Sequence, residues 1–279
     1  MPAGWKKTNG PSQKGEDSAY LGLMKRTWLW SLACLGILGM VQMRAVGQTD
    51  RDLTETCVRS PHIGLVFGVM SPQGDWAQRY ANFGEMGLMA GLKTERNGYV
   101  YLKASSWSGA DVNEPGLLSD LMGPDGQIID NEGDVAQITV TGRGGQFGLG
   151  VGKIFGSPPN NPNSGWMVKL GAGSLHHNIH FDYFENRIGP LEDDRVKGYD
   201  RMRWGGYGEA FAGYWLMSPN QRINAVVGIL GGVAQTASLR SVNFDTLEAN
   251  PERVWEGWFG LEAGWVFHIY KRASKEYWY

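Results

Sequence analysis

Three of the five histidines fall in one short run, His176-His177-Asn178-Ile179-His180-Phe181-Asp182. Histidine near carboxylate is common raw material for a metal site. On a helix, His176 and His180 would share a face one turn apart, as zinc sites exploit. In an extended chain they stand about 13 Å apart at ~3.3 Å per residue, too far for one ion. Extension instead puts Ser174 and His176 on one face, the beginning of a nucleophile and base pair. No carboxylate is obviously placed beside them. A second candidate is the stretch from Asp111 to Asp134, which carries seven acidic residues and no Lys or Arg. Within it Asp130, Glu132 and Asp134 alternate as a candidate hard-cation site, although EF-hand spacing is missing; a solvated acidic loop is the plainer reading. A third set, Lys103, Lys169, Glu209 and Glu262, is scattered along the chain and gains meaning only from the elements that carry it.

Composition narrows what those elements are. Among 279 residues, Gly 41 is about twice its usual share of ~7%. With a hydrophobic content of 42% the chain can bury a core, which excludes general disorder. No mature segment offers the ~20 consecutive apolar residues of a membrane-crossing helix. A net charge of −2 argues against a general nucleic-acid binder.

From His62 onward the chain is built of segments of about ten residues that alternate with period two, separated in turn by short turns and long polar loops. Ile63 to Met70 is the first and Glu85 to Thr94 the second. The hairpin signal Asn97-Gly98 leads into the third, Tyr99 to Trp107, because both residues tolerate positive φ. Ala136 to Phe155 is the fourth, with a bulge expected at Gly144-Gly145. After the turn Ser157 to Ser164, the fifth starts at Gly165. Gly206 to Met217 and Arg222 to Ala234 are the sixth and seventh, joined by the turn Ser218-Pro219-Asn220-Gln221. Val254 to Tyr270 is the eighth.

Eight strands, three short turns and four long loops predict an all-β, eight-stranded antiparallel up-and-down transmembrane β-barrel with both termini on the short-turn side. A soluble eight-stranded barrel would point its bulky residues inward. Here one face holds Leu, Val, Ile, Phe and Trp, while the other holds glycines interspersed with Glu85, Lys93, Lys103, Lys169, Glu209 and Glu262. An eight-stranded lumen is only wide enough for side chains to fill, so the glycine face belongs inside. There Lys103, Lys169, Glu209 and Glu262 are expected to form a lumenal charge network, since buried charges are tolerated mainly when paired. Tyr99, Phe155, Trp166, Trp215, Trp255 and Phe267 lie near strand ends and are expected as interfacial girdles.

Ahead of the strands, Lys25-Arg26, an apolar run from Trp28 to Val41 and Ala45-Val46-Gly47 read as an N-terminal signal peptide, residues 24–47, with the mature chain beginning at Gln48. Residues 1–23 are then a mis-assigned start or a leader, 48–61 a periplasmic segment, 62–270 the barrel and 271–279 a periplasmic tail. Cleavage leaves Cys57 as the only cysteine, so neither an intrachain disulfide nor a cysteine zinc site is expected. Gly142-Arg143-Gly144-Gly145 opens no helix and is no phosphate loop.

From Ile63 to Tyr270 the chain resembles the small outer-membrane barrels of the OmpA/OmpX type and the PorT-like barrels of Bacteroidetes-type bacteria. The likeness rests on topology, the signal peptide and the aromatic-rich last strand rather than on a motif. It departs from them after that strand, where Lys271 to Glu276 precede Tyr277-Trp278-Tyr279. The pair Ser174 and His176 loosely resembles the lipid-facing serine and histidine of outer-membrane lipid A deacylases. The expectation is an outer-membrane protein with a structural, adhesive or envelope and secretion accessory role, working through external loops or periplasmic ends, with no cofactor. Its expected partners are outer-membrane lipid and lipopolysaccharide and an envelope protein, not nucleic acid. A lipid-modifying hydrolase and a narrow solute channel remain as alternatives.

Overall fold

Period-two alternation with one bulky and one small face can be satisfied on both sides only if the sheet closes on itself, and it does. A computed structural model describes residues 56–156, 161–183, 187–218, 224–247 and 253–269. The leader, the signal peptide and the tail from 271 lie outside the described residues, as do parts of the turns at 157–164 and 218–221. The elements are β1 (Ser60–Gly74), α1 (Asp75–Arg79), β2 (Phe83–Lys93), β3 (Gly98–Gly109), β4 (Thr139–Gly156), β5 (Gly165–Asp182), β6 (Arg203–Met217), β7 (Asn224–Ser238) and β8 (Val254–His268), with two short 3₁₀ turns at Gly189–Leu191 and Asp193–Gly198. Each strand pairs antiparallel with the next, and β1 closes on β8 through registers such as Leu65↔Trp265, giving one closed barrel.

Alternation is read as anticipated. Ile63, Leu65, Phe67 and Val69 face out of β1, as do Phe147, Leu149 and Val151 on β4 and Phe259, Leu261, Trp265 and Phe267 on β8. Glu85, Lys93, Lys103, Lys169, Glu209 and Glu262 are all buried. Apolar outside and charged inside is the reverse of a water-soluble barrel, and closure leaves no unpaired strand edge in lipid. The chain is thus a transmembrane β-barrel of the outer-membrane type. No helix among the described residues is long and apolar enough to cross a membrane, so the crossing is made by strands.

Four local expectations are corrected. Of the proposed girdle, Phe155, Trp166, Trp255 and Phe267 face outward, but Tyr99 and Trp215 are buried in the lumen. There they pack with His62 at ring separations of 5.3 Å and with each other at 5.4 Å. Parity, not nearness to a strand end, decides the side. Gly144-Gly145 is not a bulge, because the register runs unbroken through Gly144↔Trp107 and Gly145↔Ser106. These glycines make room: a Cβ on Gly144 would fall 2.5 Å from Trp107 Cζ2, and one on Gly145 2.9 Å from His176 Cε1. At the Asn-Gly hairpin only Asn97 takes positive φ, at 57°, and Thr94 Oγ1 accepts the Gly98 amide at 2.9 Å. Strand four also starts later than expected, at Thr139, since the Ala136 amide bonds to Ile128 O within the preceding loop.

Neighbouring strands approach closely where glycines face inward. A side chain on Gly173 of β5 would strike the backbone of β4, with Gly148 Cα only 2.5 Å from the added Cβ. Gly173→Val is therefore expected to lower the unfolding midpoint by the ~1–3 kcal/mol of an overpacked core. Ala172→Val, one residue along on the exposed face, should leave it unchanged. Urea unfolding in lipid vesicles, followed by the heat-dependent gel shift of a folded barrel, measures both.

Candidate functional site

Midway along the lumen, β2, β3, β5, β6 and β8 each contribute one charged side chain to a single cluster. Lys103 Nζ lies 2.8 Å from Glu262 Oε2, 3.0 Å from Glu85 Oε1 and 3.5 Å from Glu209 Oε2. Lys169 Nζ lies 2.8 Å from the other oxygen of Glu262. Residues from four different segments of sequence, Lys103, Lys169, Glu209 and Glu262, thus meet, and Glu85 joins them. Neutral donors add to these pairs: Ser105 Oγ and Gln146 Nε2 donate to Glu85 at 2.6 and 2.8 Å, and Tyr101 OH donates to Glu209 Oε1 at 3.3 Å. The Lys169 ammonium also sits 4.0 Å from the centre of the Phe211 ring, a cation–π contact. Gly171 permits this crowding, since a Cβ there would lie 2.6 Å from Tyr101 OH. Lys93, also inward, takes no part. Its ammonium donates to Val58 O at 3.2 Å and Asn163 Oδ1 at 2.8 Å near the short-turn end.

The long-loop end of the lumen is closed by α1. Trp76 is buried and packs edge-on to Trp107 at 5.0 Å and Phe83 at 5.4 Å. Below it His177 receives the indole N–H of Trp76 at Nε2, 3.3 Å, and stands 3.0 Å from Glu256 Oε1. The three clustered histidines are thereby separated: His177 points into the lumen, whereas His176 and His180 face out. His180 Nε2 lies 3.1 Å from Asp182 Oδ1. The extended reading holds, and the histidines do not converge on one point.

Above the barrel the loops interlock. Glu114 of the second long loop meets Arg79 of α1 at 2.6 Å and Arg201 of the third loop at 3.2 Å, while Arg201 also pairs with Asp245 of the fourth at 2.7 Å. Asp245 in turn accepts the Leu118 amide at 3.0 Å. Asp200 and Arg240 form a bidentate pair at 2.6 and 2.9 Å, and that pairing raises the guanidinium pKa. Tyr199 is buried and donates its hydroxyl to Asp120 at 2.7 Å. Burial and the neighbouring carboxylate push the phenol well above its ordinary 10.0. The acidic stretch is therefore not simply a solvated loop: Glu114 and Asp120 hold the cap together, while Asp125, Glu132 and Asp134 remain exposed.

The candidate cation residues Asp130, Glu132 and Asp134 lie in one tight turn. Asp130 turns Oδ1 back to accept the amides of Glu132 and Asp134, both at 2.9 Å. Its carboxylate orders its own turn instead of joining Glu132 and Asp134 around an ion. Among the described residues no three His, Cys, Asp or Glu side chains are gathered for a metal. Ser174 and His176 do share the outward face, at the edge of a surface groove whose lining holds no carboxylate. Glu209, the nearest glutamate in register, projects to the opposite side of the wall.

No known family matches the chain, and no curated protein matches it either. Among solved structures it is similar to Ail, the attachment invasion locus protein of Yersinia pestis, with 13% identity, 75% of this chain and 99% of that one covered, and a TM-score of 0.39. It is similar also to the outer membrane protein OprG of Pseudomonas aeruginosa, with 12% identity, 78% and 100% covered, and a TM-score of 0.33. The N-terminal β-barrel domain of OprF from Pseudomonas aeruginosa matches with 13% identity, 74% and 99% covered, and a TM-score of 0.30. At these similarities nothing about ligand or activity carries over.

Removing one member of a buried ion cluster leaves its partners uncompensated, at a cost of ~3–5 kcal/mol. Lys103→Met, which leaves Glu85 and Glu209 without a cation while Glu262 keeps Lys169, should lower unfolding stability by about that much in vesicle unfolding, whereas Lys197→Ala on the surface should change nothing measurable. Tyr199 supplies a pH test. Its folded pKa exceeds the unfolded value, so its contribution is complete below pH ~10 and is lost as the pH rises through the folded pKa. The difference in phenolate absorbance between wild type and Tyr199→Phe should show the lost tyrosine titrating above the ordinary range.

Proposed function

We propose that this chain is an outer-membrane barrel with a closed lumen whose work is done outside the membrane by its interlocked loop cap, in a structural, adhesive or envelope-accessory role. The observation that carries this reading is the filling of the lumen from end to end. His62, Tyr99 and Trp215 occupy the short-turn end, the Lys103 and Glu262 cluster the middle, and Trp76 with His177 the long-loop end. Solute passage would require breaking several buried ion pairs at once, which disfavours the channel alternative. The cap, by contrast, is tied to itself across four loops by charged hydrogen bonds, which keeps its outer surface in one arrangement. It also exposes apolar side chains to water, including Ile129, Val135, Phe244 and Leu247, as partner-binding surfaces do. The hydrolase alternative has less support, because Ser174 and His176 lack the orienting carboxylate of a triad.

The test uses cells lacking the protein, complemented either with the full chain or with a variant in which residues 117–136 are replaced by a short Gly-Ser link. Surface attachment and envelope integrity should be restored by the full chain and not by the shortened one, although both assemble as heat-modifiable barrels. Equal rescue by the two would overturn the role of the cap. Stable unitary conductance of the purified protein in a planar bilayer would overturn the closed lumen.

A further inference from the structure

The outward face of β3, β4 and β5 changes character partway up the wall. Successive cross-strand rows run Leu102, Leu149, Ala172; then Ala104, Phe147, Ser174; then Ser106, Gly145, His176; then Ser108, Arg143, Asn178. The first belongs to the apolar belt and the last is polar throughout. Between them the wall is depressed, because Ala104, Ser106, Gly145 and Ser174 are short while Leu88 and Phe147 beside them are long. A groove of about 650 Å³ results, lined by Leu88, Ala104, Ser106, Phe147, Ser174 and His176 among others. It has room for on the order of 20 methylene-sized groups, taking ~30 Å³ for each, the share of one water.

The groove opens to the bilayer and lies towards the end that carries the long loops, so outer-leaflet hydrocarbon fills its lower part. Its upper rim is different. Ser106, His176 and Asn178 offer hydrogen-bonding groups there, and the nearby cation is already engaged: Arg143 Nη2 lies 2.8 Å from Asp182 Oδ2, with His180 3.1 Å from the other oxygen of that carboxylate. A rim whose charge is balanced recognises hydroxyl and amide groups better than net negative charge. We infer that this groove is a lateral binding site for an outer-leaflet glycolipid, one acyl chain lying over Ala104 and Ser174 and the sugar headgroup hydrogen-bonded to Ser106, His176 and Asn178. The inference rests on the membrane orientation proposed above and deepens it by naming the lipid class and the residues that select it.

Native mass spectrometry of the full chain released from detergent tests it, with lipid A as the probe and cardiolipin as a phosphate-matched lipid without sugar. The wild-type barrel should retain one lipid A, and the groove-filling variant Ala104→Phe with Ser174→Phe should retain at least tenfold less. Cardiolipin should be held poorly by both. Equal retention of lipid A by wild type and variant would reduce the groove to ordinary annular contact and overturn the site, and equal retention of cardiolipin and lipid A would overturn the sugar selectivity. Both substitutions face lipid, and the heat-dependent gel shift checks that the variant has folded. Should it fail that check, Ser106→Ala with His176→Ala leaves the groove open and must still lower lipid A retention. A wild-type barrel with no heat-dependent shift would sink the membrane reading itself, an outcome separate from loss of lipid alone.

Discussion

Glu262 joins Lys103 and Lys169 across the lumen, one carboxylate oxygen to each ammonium at 2.8 Å, and the character of the barrel follows from that bridge. An eight-stranded ring encloses a space that side chains can fill but water cannot usefully occupy. Charges placed there have to neutralise one another, and their long side chains need neighbours without side chains. The inward glycines of β4 and β5 serve that need: where Tyr101, Tyr207 and Glu209 reach across, Gly148, Gly150 and Gly171 leave the space they occupy. Glycine abundance and lumenal charge are two sides of one packing problem.

Lumenal filling also determines where function can reside. An interior filled in this way is why the proposed role is placed at the surfaces. The outside of the barrel offers lipid a smooth apolar belt interrupted by the depression on β3, β4 and β5. The cap offers water a face in which opposite charges from separate loops are consumed by one another: Arg79 and Arg201 by Glu114 and Asp245, and Arg240 by Asp200. What remains exposed on the cap is acidic and apolar together, with Ile129, Val135, Phe244 and Leu247 among the apolar side chains.

Some features were legible only in part. Glu85 was recognisable as inward-facing, yet nothing in the sequence placed it with Lys103, because height in a barrel depends on the stagger between strands as well as on position within one. Lys93 has the same parity as Lys103 and a wholly different set of partners for that reason. The exposed seam of the acidic loop was legible from composition, while the roles of Glu114 and Asp120 were not, since their partners Arg79, Arg201 and Tyr199 belong to other loops. Tyr99 and Trp215 lie near strand ends, which suggests the membrane interface, although strict alternation from Lys103 and Glu209 already places them inside.

By itself the sequence determined the strand count, the alternation of short turns and long loops, the polarity of the two faces and the inward direction of Lys103, Lys169, Glu209 and Glu262. Each of these is carried by a period of two residues or by a local turn signal, and short-range sterics are enough to read them. Tertiary structure alone decided which inward charges meet, that His177 is walled in by Trp76 and Glu256 while His176 looks out, that Asp130 caps its own turn, and that three short side chains and a glycine on three strands open one groove. Those outcomes depend on the register and shear of a closed ring, in which residues more than a hundred positions apart become neighbours. No local pattern encodes that distance.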